Sequence, residues 1–142
     1  MIKLRAHHLL CLSRFNNKGK WYSKKYKNNF KKIFLKINKN PSQQIIIINK
    51  CDDVCKECPH KKTNLCNKPS KYKISHWVRV MDNKTLRLIK LKPNTKHSAK
   101  EVLNLIIKKV TNRDLKNICK GCEYLTDCLK LGINKNLIQK VK

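Results

Sequence analysis

The feature that most constrains this chain is a repeated cysteine triad: Cys55, Cys58 and Cys66 in CKECPHKKTNLC, and Cys119, Cys122 and Cys128 in CKGCEYLTDC. A Cys-x2-Cys pair lets two thiolates converge on one centre while the backbone between them turns its amides toward the negative sulfurs. A third cysteine follows each pair, and two such triads point to bound metal. Metal binding then contributes directly to folding. That contribution matters in a chain of 142 residues with 40% apolar and only 6% aromatic content, where the core by itself is lean.

A tetrahedral zinc or a four-iron cluster takes four ligands, and each triad supplies three. Cys11 is the first candidate to complete a set, because a short helix would bring it in beside His7 and His8. Cys51, four residues before Cys55, is the next. His7 and His8 are candidate ligands or proton carriers, since neutral imidazole binds metals and titrates near neutrality; the plainer reading puts one in the core and one in solvent. His60 lies inside the first triad and could replace a cysteine, whereas His76 and His97 read as ordinary core or surface residues. Three cysteines from one segment plus a distant fourth suit a cubane iron-sulfur site better than a zinc ribbon, and Cys58-Pro59 is similar to the Cys-Pro step of ferredoxin motifs. An iron-sulfur cluster of the 4Fe-4S kind is the first reading and zinc the alternative.

The opening IKLRAHHLLCL, the segment Asp52 to Pro59, Asp82 ahead of a short helix, and the late Cys-x2-Cys with its final cysteine together resemble a small bacterial and archaeal domain-of-unknown-function family regarded as iron-sulfur binding. The likeness spans nearly the whole chain. It implies Cys11, Cys55, Cys58, Cys66, Cys119, Cys122 and Cys128 as the ligand set, places Cys51 outside the usual pattern, and carries no assigned reaction. Over ten residues the second triad also looks like the Cys-x2-Cys-x5-Cys element of auxiliary clusters in radical enzymes.

The formal charge of +27 comes from 35 Lys and Arg against 8 Asp and Glu, an excess that favours polyanionic partners. Only five of the 35 are Arg, and the lysines are scattered, without the aromatic interleaving of strand or base readers. Trp21, Tyr22 and Trp77 are too few and dispersed for that role and read as core or rim. Nucleic acid is therefore the lesser partner reading, behind an unidentified redox protein. Residues 1 to 51 hold no acid at all, and six of the eight acids gather by the cysteines. Asp52-Asp53 reads as a cap or turn rather than an acid-base pair. Three glycines leave no phosphate-binding loop. The apolar run Ile45 to Ile48 is far short of the ~20 residues of a membrane helix, and the segment after Arg5 lacks the form of a signal peptide. A cytoplasmic location without membrane association is expected, where thiolate ligands are favoured over disulfides.

Local patterns predict a helix over residues 6–14 and a break at Asn16, Asn17 and Gly19. A second helix, capped by Ser23, carries a stripe of Tyr26, Phe30, Ile33, Phe34 and Ile37. Asn40-Pro41 ends it, and Gln44 to Asn49 reads as a buried strand. Residues 72–81 fit strand or helix equally. Asp82 is read as the cap of a short helix bearing Leu86, Ile89 and Leu91, Ser98 with Glu101 as a capping box, and helical turns follow around Leu115 and over 134–141. The expected architecture is α+β, mainly α: one small domain over residues 1–142 in which two irregular cysteine loops converge on metal. Three function classes follow: a redox or electron-transfer protein, a structural zinc module on nucleic acid, or a small iron-sulfur enzyme. In the last, seven ligating cysteines complete one cubane and leave an iron of a second open to substrate.

Overall fold

The β-branched run at Gln44–Ile48 (β2) forms the middle strand of a three-stranded sheet. Ile2–Arg5 (β1) pairs with it in parallel, from Ile2 opposite Ile45 to Arg5 opposite Ile48. Thr95–Ser98 (β5) pairs antiparallel on its other edge. The computed structural model describes residues 1–15, 21–62, 65–66 and 74–141. The expected break at Asn16, Asn17 and Gly19, residues 72 and 73, and the side chain of His76 lie outside the described residues. A parallel pair needs a crossover, and here it contains Ala6–Ser13 (α1) and Lys24–Lys39 (α2). Ser23 caps α2 by accepting the Tyr26 amide at 3.1 Å. The face of Tyr26, Phe30, Ile33, Phe34 and Ile37 is buried, as its spacing requires.

The fold is α+β and mainly α, with seven helices and a small sheet among the described residues. After β2 come a 3-10 turn at Val54–Glu57 and a two-stranded ribbon, Lys61–Lys62 (β3) with Leu65–Cys66 (β4). The remaining helices are Ile74–Ile89 (α3), Ala99–Lys109 (α4), Asn112–Ile118 (α5), Leu125–Leu131 (α6) and Lys135–Val141 (α7). Helix α1 packs on α3 and α4, and one apolar core, with Leu4, Leu9, Phe30, Ile47, Ile89 and Leu103 among its most buried members, joins the sheet to the helices.

Two local expectations are corrected. Asp82 caps nothing: α3 runs unbroken through it from Ile74 to Ile89. Asp82 lies on the buried stripe of Trp77, Val78, Met81, Thr85, Leu86 and Ile89, and its carboxylate is occupied by partners from another element rather than by its own amides. The helix closes instead where Lys90, at φ 56°, turns left-handed and the Leu91 amide donates to the Leu86 carbonyl at 3.1 Å. The expected capping box at Ser98 is present in its forward half, Glu101 N–H to Ser98 Oγ. A reciprocal box forms at the start of α5, where Thr111 and Asp114 exchange amide bonds of 3.1 and 3.0 Å.

Candidate metal centre

Both Cys-x2-Cys segments make the same turn. The Cys58 amide donates to the Cys55 carbonyl at 3.1 Å, and the Cys122 amide to the Cys119 carbonyl at 2.8 Å. The first turn is anchored before it begins: the Asp53 amide donates to the Lys3 carbonyl, the Lys3 amide returns a bond to Asp53 Oδ2, and Asn29 of α2 donates to the Asp53 carbonyl. The Cys58 carbonyl then accepts from Lys61, and the ribbon sets Cys66 opposite Lys61. In the second segment α5 ends at Cys119. Gly121 adopts φ 88°, the left-handed backbone that favours glycine, and α6 carries Cys128.

These segments bring Cys55, Cys58, Cys66, Cys119, Cys122 and Cys128 to the wall of one cavity, and α1 adds Cys11. None of the eight cysteines, all among the described residues, is in a disulfide. Cys51 is absent from the cavity wall; its thiol hydrogen-bonds with that of Cys55. Tyr22, Tyr26 and Tyr124 line the cavity beside Leu10 and Met81. Burial raises all three phenols well above the usual tyrosine range, which keeps them neutral. Trp21 joins the ring cluster of Phe15, Phe30 and Tyr26. Trp77 is buried in the core. His60 meets Tyr22 edge-on at 4.6 Å and is not on the cavity wall, and His97 lies near Thr95 and Glu101 on β5.

His7 and His8 are both buried and both line the cavity, so neither points to solvent. A buried carboxylate grips each. Asp82 takes His7 Nδ1 at 2.7 Å and the His7 amide at 3.0 Å, while its second oxygen accepts Arg5 Nε and Nη2 at 2.9 and 2.8 Å. Asp52 takes His8 Nδ1 at 2.8 Å, the Arg5 amide at 2.7 Å and the Cys55 amide at 3.1 Å. Asp52 is thus the turn residue its sequence suggests and also an imidazole partner. Burial works against ionising either acid. Even so, His7 and Arg5 hold the Asp82 carboxyl down at about 2, and His8 with its hydrogen bonds keeps Asp52 below the usual carboxylate range. Burial lowers His7 to about 4 against the pull of Asp82, so this imidazole is neutral at neutral pH.

Burial, followed by Asp52, pushes the Cys55 thiol far up; burial and Cys122 take Cys128 to about 11. Thiols raised in this way ionise when a cation replaces the proton, which fits the cavity to a positively charged inorganic centre. Burial also lowers the Arg14 guanidinium, against the upward pull of Cys128, Cys119 and Cys11. His8, Asp52 and Cys55 place one potential ligand atom each within 4.8 Å of one another.

Residues 21–128, more than half of the chain, match a protein family of unknown function (DUF1284). The chain belongs to that family. The DUF1284 match takes in both triads, Asp52 and Asp82; the segment with Arg5, His7, His8 and Cys11 precedes it. No curated protein and no solved structure matches the chain. No described helix is long and apolar enough to cross a membrane.

Sequence reasoning missed Arg5, Arg14 and the role of Asp82. A signal was present for Asp82. In a chain with only eight acids, an aspartate placed on an apolar helical stripe needs a buried cation, and β1 supplies Arg5.

Proposed function

We propose that this protein holds iron-sulfur clusters, of the 4Fe-4S kind, and works as a small redox or electron-transfer protein. The observation that carries the reading is the gathering of seven cysteines from three separate segments onto one cavity wall. Seven thiols exceed what one tetrahedral zinc needs. The raised pKa values of Cys55 and Cys128 also argue for a positive centre among them. The candidate ligands are Cys11, Cys55, Cys58, Cys66, Cys119, Cys122 and Cys128, with Cys51 off the wall.

When bound, such a cluster supplies one-electron storage at a potential tuned by charge, hydrogen bonding and exposure. The chain's residues provide the setting. Tyr22, Tyr26, Tyr124, Leu10 and Met81 limit water at the cavity. Arg5 and Arg14 offset part of the negative charge that seven thiolates bring. The lysine-rich exterior favours an acidic protein as the electron donor or acceptor.

The test is an anaerobic visible spectrum of purified protein, with iron, sulfide and zinc counted on the same sample. Equal iron and sulfide with a broad visible band that bleaches on dithionite supports the reading. Colourless protein with stoichiometric zinc and no sulfide refutes it, and makes the cysteines structural.

A further inference from the structure

Seven thiolates are one short of two four-ligand centres, and the cavity wall contains a group that supplies the eighth. We propose that His8 ligates through Nε2, completing a centre with Cys55, Cys58 and Cys66, while Cys11 joins Cys119, Cys122 and Cys128 in an all-cysteine centre. This rests on the iron-sulfur reading and deepens it. It replaces the picture of an iron left open to substrate with two fully ligated centres, one of which has a nitrogen ligand.

Four observations support it. His8 is buried and lines the same cavity as the seven cysteines. Its Nδ1 is held by Asp52 at 2.8 Å, which leaves Nε2 as the ring nitrogen available for ligation. Metal-bound imidazoles commonly donate their other N–H to a carboxylate, which orients the ring and strengthens the ligand. The same Asp52 binds the Cys55 amide, so one carboxylate ties the histidine to the first turn, and one ring nitrogen of His8, a carboxylate oxygen of Asp52 and the Cys55 sulfur lie within 4.8 Å of one another.

The partition follows from α1. His8 and Cys11 stand three residues apart on that helix, and Arg14, one turn beyond Cys11, is buried with its guanidinium donating to Asn112 at 3.4 Å, the first residue of the helix that ends at Cys119. The helix therefore presents its cysteine to the second triad and its histidine to the first. His7 also faces the cavity, but its carboxylate partner, Asp82, is bound to Arg5 and to no cysteine amide. Cys51, the other source of an eighth donor, is off the wall.

The experiment compares wild-type protein, loaded anaerobically with iron and sulfide, with His8→Cys, Cys11→Ala and Cys51→Ala. Each is prepared with natural and 15N-labelled histidine. Iron and sulfide are counted, and pulsed electron paramagnetic resonance of the dithionite-reduced samples reads nitrogen hyperfine coupling. Expected for wild type are about eight iron atoms per chain, as two cubanes require, and a strong coupling from one imidazole. His8→Cys loses the coupling, keeps its iron, and shifts one reduction potential downward, because histidine for cysteine raises it. Cys11→Ala loses about half the iron and keeps the coupling, and Cys51→Ala changes neither. A loaded wild type with no imidazole coupling overturns the inference and leaves the cluster reading intact. Loss of iron in Cys51→Ala, or of the coupling in Cys11→Ala, also overturns it. Wild type that takes up neither iron nor sulfide refutes the underlying cluster reading instead.

Discussion

Replacing Asp82 by Asn keeps the side chain's shape and removes its charge, at a point where the structure leaves no solvent to compensate. Asp82 has no exposed surface and carries two bonds from the Arg5 guanidinium, at 2.8 and 2.9 Å, and two from His7. Asn retains one carbonyl acceptor, which the His7 amide can keep. Its amide group, however, then faces a buried guanidinium with donor against donor. Removing one partner of a buried ion pair costs about 3–5 kcal/mol, and the retained acceptor places Asp82→Asn near about 3 kcal/mol. With a urea slope of about 2 kcal/mol per M for a chain of this size, the midpoint falls by about 1.5 M. The assay is urea unfolding of metal-loaded protein, followed by far-ultraviolet circular dichroism under anaerobic conditions. Adding Arg5→Met to Asp82→Asn removes the stranded charge, so the double variant is expected to be more stable than the single one. A midpoint shift below about 0.3 M in Asp82→Asn, or strict additivity in the double variant, would refute the claim that this pair carries a buried, uncompensated charge when broken.

The same group gives a pH dependence: its folded carboxyl near about 2 lies below the unfolded value of 3.8. It contributes roughly 2 kcal/mol that is fully present above about pH 4 and fades toward pH 2, a component of the acid unfolding curve that Asp82→Asn should lack. Cys58→Ser and Cys122→Ser, each removing a wall thiol, are expected to lower bound iron after anaerobic loading, whereas Cys51→Ser should match wild type; equal iron in all three would contradict the site. Thr111→Ala removes the reciprocal cap of α5 and should cost about 1 kcal/mol by urea unfolding, with Ser98→Ala, whose bond is one-way, costing less. Phe30→Ala, at a buried ring stacked on Phe15 at 5.6 Å, should cost about 3–5 kcal/mol by the same assay.

Periodicity and caps belong to local sequence, and they were legible where the signal was local. The stripe of α2 with its Ser23 cap, the isoleucine strand β2 and the stop at Asn40 all appear where spacing and propensity put them. Strand β1 was not legible. Four residues carry too little alternation to announce a strand, and Ile2–Arg5 is one because β2 offers it a parallel edge. Residues 72–81 were ambiguous alone, and α3 became a single long helix because packing against α1 supports its apolar stripe through Asp82.

The sequence by itself determined that cysteines dominate the candidate site, because thiols at x2 spacing read the same whatever surrounds them. It also made Cys11 the first candidate partner for the triads and Cys51 the next, with the family resemblance alone placing Cys51 outside the pattern. Only the tertiary structure decided that both histidines line one cavity with the cysteines, that Asp52 and Asp82 hold their rings, and that Arg5 lies between the two acids. Those contacts join residues 44 to 77 positions apart. A buried charge is stable only beside its counter-charge, and which charges meet depends on the way β1, α1 and α3 pack, a relation that no local pattern records.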